Sequence, residues 1–289
     1  MRVLLTGAAG QLGHALIASA PPEVQLLATD RRQLDLADAQ ACRDAVLQHR
    51  PDWVLNAGAY TAVDRAESEA DRAMAVNAEA PRALARALQQ SGGRLLQIST
   101  DFVFNGAQGM PYHPQQCRDP LGVYGASKAA GEAAVQECLD PERCCILRTS
   151  WVYGPVGHNF LRTMLRLLAE REQIAVVADQ VGCPTATSGL AQACWAVLQR
   201  RVSGVQHWSD AGAASWYDFA VAIAELAVRG GVLERSAAVR PIATEDYPTP
   251  AVRPSYSLLD CRSTRDALAL PPQHWRQALA AVLSDLKAT

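Results

Sequence analysis

The stretch "LLTGAAGQLGHAL" (residues 4–16) decides the fold class, because it sets Gly7, Gly10 and Gly13 between an apolar strand-like run and a helical one. Glycine at the first position allows a tight turn, at the second the close approach of a pyrophosphate, and at the third the packing of helix against strand. The helix that follows offers unpaired N–H groups and a partial positive charge where a phosphate would rest. The spacing is G-x-x-G-x-x-G rather than G-x-G-x-x-G, so the reading leans on context: a strand before, a helix after, and Asp30 closing the next apolar run.

Working outward, RVLLTG (2–7), VQLLATD (24–30), DWVLNAG (52–58), RLLQIST (94–100) and CCILRTSWVY (144–153) read as strands. Helical patterns fall between them at about 11–19, 38–49, 71–90 and 125–137. Short continuous apolar strands alternating with helices predict βαβ units and a parallel sheet covered on both faces. Residues 1–153 are therefore expected to form an α/β, Rossmann-type, doubly wound dinucleotide-binding domain, with some later segments returning to it. Residues 154–289 are expected to form mainly a smaller C-terminal substrate-binding lobe. There NFLRTMLRLLAERE (159–172) is amphipathic, IAVVAD (174–179) and VQHWS (205–209) read as strands, and LAQACWAVLQR (190–200) as a helix. Ser215 with Asp218 predicts a capped helix over 215–228. Prolines at 241, 248, 250, 254, 271 and 272 predict loops in the tail.

Asp30 stands where a carboxylate would accept from a ribose 2′-OH, which favours NAD; Arg31 and Arg32 follow at once and would suit a 2′-phosphate instead. NADPH and NADH both stay open at this point. Asp35 and Leu36 are candidates to line the adenine, and Ala57, Gly58 and Ala59 to let the backbone run beside the cofactor. Further along, "VYGASK" places Tyr124 and Lys128 four residues apart, on one helix face. Carbonyl reduction by hydride needs a proton donor at the developing alkoxide. A tyrosine can serve, and a neighbouring ammonium would lower its pKa and hold the nicotinamide ribose. The spacing alone fits a solvated helix equally well. Thr100 at the end of a strand-like run, downstream of the glycine turn, tips the reading toward chemistry.

With those residues in place, the chain resembles the extended short-chain dehydrogenase/reductases and, within them, the dTDP-4-dehydrorhamnose reductases. The matching segments run nearly end to end: "LLTGAAGQLG" (4–13), "RPDWVLNAGAYTAVDRAESE" (50–69), "STDFVFNG" (99–106), "VYGASKAAGE" (123–132), "LRTSWVYG" (147–154), "NFLRTMLRL" (159–167), "DQVGCPT" (179–185) and "YPTPAVRP" (247–254). The resemblance implies Thr100, Tyr124 and Lys128 as the catalytic trio. It adds Gln11, Leu12, Tyr60 and Thr61 to the cofactor set and places Thr100, Asp101 and Trp151 against a deoxysugar, with Arg253 near the nucleotide-sugar pocket. The implied reaction is the NAD(P)H-dependent reduction of the C4 ketone of a dTDP-linked 4-keto-6-deoxy sugar, for cell-envelope polysaccharide synthesis. Some relatives carry carboxylates of a Mg²⁺ site joining two subunits where this chain has Ala15 and Ser188. That argues against a metal-bridged homodimer and leaves a metal-free one open. Phe102 stands where some relatives have tyrosine.

Other readings follow from the same fold. A dehydratase typically needs an Asp-Glu pair after the threonine, and this chain has Asp101-Phe102. A sugar-nucleotide epimerase would keep its nicotinamide bound and show no net oxidation of added cofactor. A non-catalytic NADP-binding regulatory subunit, like that of methionine adenosyltransferase, would not need the full Thr-Tyr-Lys set. Composition excludes other classes. A net charge of −2 gives no footprint for nucleic acid, and no apolar run approaches the ~20 residues of a membrane span. Eight scattered cysteines without a C-x-x-C pair, and histidines without H-x-x-x-H spacing, point to no metal and to a reducing, cytoplasmic setting. Cys144 and Cys145, adjacent in a strand, should face opposite sides. "DRAESEADRA" (64–73) reads as a solvated face, and Trp195, Trp208 and Trp216 as packing residues.

Overall fold

The run RVLLT carries apolar residues in sequence because both faces of its strand are covered. In the computed structural model, which describes residues 1–288, Val3 and Leu5 are buried against one helical layer and Leu4 against the other. Thr289, the last residue of the expected second lobe, lies outside the described residues. The chain proceeds as β1 (Arg2–Thr6), α1 (Gln11–Ala18), β2 (Gln25–Thr29), α2 (Ala39–His49), β3 (Trp53–Asn56), α3 (Val63–Ala66), α4 (Ala70–Met74), α5 (Ala80–Ser91), β4 (Arg94–Thr100), α6 (Val123–Cys138) and β5 (Cys144–Thr149). It continues as β6 (Val152–Tyr153), α7 (Phe160–Glu170), β7 (Gln173–Val177), β8 (Val181–Gly182), β9 (Thr185–Ala186), α8 (Thr187–Arg200), β10 (Gly204–His207), β11 (Ala214–Ser215), α9 (Trp216–Arg229), β12 (Ala238–Ile242), α10 (Arg262–Leu268) and α11 (Trp275–Ala288).

Six parallel strands form the main sheet in the order β10-β5-β4-β3-β1-β2. The strand order reverses between β1 and β3, so the crevice beyond their carboxyl ends is where a doubly wound sheet binds ligands. Cys144 and Cys145 do face opposite layers, in two separate core clusters. The late strand β10 pairs with β5, and α8 packs on α1, so these elements sit with the first half. A second core, built on Leu161, Leu168, Phe219, Ile223 and Leu279, gathers α7, α9 and α11. Among the described residues no helix is long and apolar enough to cross a membrane.

Four expectations about elements are corrected. The run 144–153 is not one strand: β5 stops at Thr149, Trp151 adopts a left-handed φ of 47°, and β6 follows in a different sheet. The helix over 71–90 is broken by a π-helical turn at Ala75–Glu79. The helix expected over 190–200 begins earlier, at Thr187. The proline-rich tail holds β12, α10 and α11, because its prolines fall between the helices or, as Pro241, on a strand of a two-stranded sheet.

Candidate active site

A cleft of about 910 Å³ opens at the carboxyl ends of β1, β3 and β4 and runs from Arg31 at one end to Trp151 and Trp216 at the other. Its floor is the glycine turn. Gly7 has φ +70°, and a Cβ there would come within 2.6 Å of the Gly58 backbone. Gly13 faces inward: its Cβ would lie 2.3 Å from the Gly7 carbonyl, so the third glycine lets α1 press on the turn rather than lining the cleft. Gly10, Gln11, Leu12, Ala57, Gly58, Ala59, Tyr60 and Thr61 all line it.

At the outer end Arg31, Asp35 and Leu36 line the cleft and Asp30 does not. The Asp30 carboxylate accepts from the backbone N–H of Arg32 at 2.8 Å and of Gln33 at 3.1 Å, closing its own turn. Arg31 pairs with Asp35 on the exposed rim at 3.3 Å. Arg65, Glu69 and Arg72, from the segment read as a solvated face, also border the cleft. The loop at Tyr60 is clamped by Asn77, whose side chain accepts from Tyr60 N at 2.9 Å and donates to Tyr60 O and Ser127 Oγ, both at 3.0 Å. Asn77 lies in the π-helical turn, an irregularity that often marks functional sites.

Thr100, Asp101, Tyr124 and Lys128 come together midway. Thr100 ends β4 and caps a short turn, its hydroxyl accepting from Phe102 N at 3.2 Å and donating to Asp101 Oδ1 at 3.0 Å. Tyr124 lies in the first turn of α6, with Phe102 edge-on to its ring at 5.6 Å. Burial pushes the phenol up to about 12; the Thr100 hydroxyl draws it back and the Asp101 carboxyl adds a smaller upward push. Lys128, one turn on and 4% exposed, donates from Nζ to the Ile98 carbonyl at 2.7 Å. Burial lowers its pKa to about 8, partly offset by Glu132. Lys128 Nζ thus points to the Ile98 carbonyl rather than to the phenol, and burial is the main influence on both groups.

Beyond β5 the cleft is aromatic. The Trp151 and Trp216 rings stack at 3.6 Å with planes 6° apart, and Phe160 lies 4.7 Å from Trp216. Gly182 makes room, since a Cβ there would come within 2.7 Å of the Trp151 indole. Asn159 caps α7 and donates to Gln11 Oε1 at 2.8 Å, joining the second core to the glycine turn. Arg253 lines the same cleft and forms a bidentate pair with Asp64 at 3.1 and 2.9 Å. The Asp64 carboxyl is held below its usual range chiefly by that hydrogen bond.

A family model described as RmlD substrate binding domain matches residues 1–288. The chain belongs to that family. It is 38% identical over 286 residues to a dTDP-4-dehydrorhamnose reductase of Aggregatibacter actinomycetemcomitans, covering 96% of this chain and 97% of that protein. A Streptomyces griseus protein of the same name is 42% identical over 284 residues, covering 96% and 91%. The crystal structure of a Bacillus anthracis dTDP-4-dehydrorhamnose reductase in complex with NADP superposes with a TM-score of 0.92 at 37% identity, over 98% of this chain and 99% of that one.

Within this RmlD-family chain, three features of the cleft were not read from the sequence. Trp216 was read as a packing residue, yet it lines the cleft; a helix-start tryptophan carries no mark of its partner 65 positions away. Arg72 was hidden in a charge-rich run. Asn159 gave a signal, an asparagine directly before a strong amphipathic helix, but its second bond to Gln11 depends on tertiary contact.

Proposed function

We propose that the protein is an NAD(P)H-dependent oxidoreductase that reduces the C4 ketone of dTDP-4-dehydro-6-deoxy-L-mannose (dTDP-4-dehydro-L-rhamnose) to dTDP-L-rhamnose, for cell-envelope polysaccharide synthesis. The observation that carries this reading is the convergence of Thr100, Tyr124 and Lys128 in one cleft, between a glycine cradle and an aromatic wall. The cradle fits a dinucleotide: a side chain at Gly7 would collide with Gly58, and the start of α1 faces the cleft. One oxygen of the Asp30 carboxylate closes its own turn while Arg31 and Arg72 border the outer end, which favours a 2′-phosphate and so NADPH over NADH.

The bound nicotinamide supplies a hydride to C4. Tyr124 gives its phenolic proton to O4 and is reprotonated from solvent; a phenol near 12 is fully protonated at neutral pH, as a donor must be. Thr100 orients the carbonyl oxygen by hydrogen bonding. Lys128, one helical turn from Tyr124, binds the nicotinamide ribose hydroxyls. Trp151, backed by Trp216, forms an apolar wall that shields the sugar from water. Arg253 takes the nucleotide end, and Asp101, buried and bonded to Thr100, bears on the sugar through that hydroxyl.

Purified protein should oxidise NADPH, and NADH more slowly, when given dTDP-4-dehydro-L-rhamnose. Tyr124→Phe should lower kcat by about 10²–10⁴-fold, the range for a positioned proton donor. Undiminished turnover by the Phe variant would overturn the donor assignment.

A further inference from the structure

Asp101 is a buried acid without a cation. Its side chain is 1% exposed, and Oδ2 makes no hydrogen bond. The groups that bear on the carboxyl are the Thr100 hydroxyl, the peptide N–H groups of Asp101 and Phe102, and the Ser257 hydroxyl from the tail; Tyr124 faces it from α6. Lys128 Nζ is bonded to the Ile98 carbonyl, and Arg253 to Asp64 and Thr249. An ionised carboxylate with one oxygen buried and unpartnered is strongly disfavoured. Burial accordingly raises this carboxyl to about 6, against the downward pull of Ser257 and Thr100.

The protonation state of Asp101 decides what Thr100 can do. A hydroxyl has one hydrogen and two lone pairs. One lone pair of Thr100 is taken by Phe102 N–H. If Asp101 is ionised, the single hydrogen of Thr100 must point at Oδ1, 3.0 Å away, and none is left for the ketone or the phenolate. If Asp101 is protonated, its own O–H fills the second lone pair, and the Thr100 hydrogen turns into the cleft. An ionised Asp101 would also oppose the negative charge that forms on Tyr124 as its proton leaves.

We propose that Asp101 is a positioning acid that must carry its proton during turnover, donating to Thr100 Oγ1 so that the threonine hydroxyl donates to the reacting oxygen and then to the Tyr124 phenolate. This rests on the reductase reading above and adds a proton-dependent gate to it. No bond to the sugar is made or broken by Asp101; its proton stays on the carboxyl throughout the cycle.

The test is kcat against pH, with saturating NADPH and dTDP-4-dehydro-L-rhamnose, for the native enzyme and Asp101→Asn. The native rate should fall about tenfold per pH unit once pH rises past the range in which Asp101 loses its proton. The asparagine amide donates to Thr100 at every pH, so that limb should vanish in the variant, and the ratio of variant to native rate should climb with pH. Parallel profiles in two active proteins overturn the proposal and leave the reductase reading intact; absence of NADPH oxidation by the native enzyme overturns the reading itself. If Asp101→Asn is inactive at every pH, infrared titration of the carboxyl decides, using protein with carboxyl-labelled aspartate in an Asp210→Asn background. A protonated-carboxyl band lost in step with the rate supports the gate, and its absence where the rate is maximal overturns it.

Discussion

His207 carries no charge in the folded protein. Its ring is fully buried, with Nδ1 3.0 Å from the Tyr112 carbonyl and Nε2 3.3 Å from the Arg148 guanidinium. The carbonyl only accepts and the guanidinium only donates, so the proton sits on Nδ1. Burial, then the charge of Arg148, holds the pKa down at about 3, with Asp260 pulling weakly upward and His113 downward. The unfolded imidazole takes its proton near 6.5 and the folded one only near 3, so between these values the unfolded state binds more protons and stability falls with falling pH. At pH 5 this amounts to about 2 kcal/mol. Asp101 and Asp210, raised by burial to about 6 and about 7, act in the opposite sense, contributing stability that is lost as pH rises through those values. The expectation is therefore differential. His207→Gln can keep both hydrogen bonds without a titrating proton. Its urea stability should drop less than the native protein's between pH 7 and pH 5, by about 2 kcal/mol. Equal drops would show that His207 titrates normally.

At the scale of elements, α6 carries Tyr124 and Lys128, and its placement depends on one close backbone approach. A Cβ on Gly131 would lie 2.0 Å from the Asn77 carbonyl oxygen in the π-helical turn. Gly131 thus lets α6 sit against the turn whose Asn77 clamps Tyr60 and Ser127. Gly131→Ala should destabilise by about 1–3 kcal/mol, the usual penalty for overpacking, and lower activity by displacing Tyr124. Unchanged urea stability would contradict the close approach. The spacing of Tyr124 and Lys128 was legible because it lies within a single helix, where sequence distance is spatial distance. The π-helical turn was not, because it answers to Gly131, more than fifty residues downstream. The chain reversal at Trp151 was not legible for a related reason: a left-handed tryptophan goes against local preference and is held by contacts with Gly182 and Trp216.

Across the whole molecule, the parallel sheet and the glycine cradle were readable because continuous apolar strands and βα turns are local patterns. The composition of the cleft was not wholly readable, since its two walls come from halves that share no sequence signal. The glycine turn and Thr100 lie on the main sheet, Trp216 on the second core, and Asn159–Gln11 is one of the side-chain bonds between them. This arrangement separates the two ligands: the sheet side should set cofactor affinity, and the aromatic wall should set sugar affinity. Trp216→Ala removes the ring stacked on Trp151 without touching the cradle. Aromatic pairs contribute about 0.5–1.5 kcal/mol beyond burial. The KM for the dTDP-keto sugar should therefore rise up to about tenfold, while the Kd for NADPH stays within about twofold. Phe at that position should recover part of the loss, because it restores a stacking face of smaller area. A parallel weakening of NADPH binding would mean that the wall and the cradle act as one unit. Kinetics with the sugar and cofactor titration by fluorescence on the same preparation decide between the two.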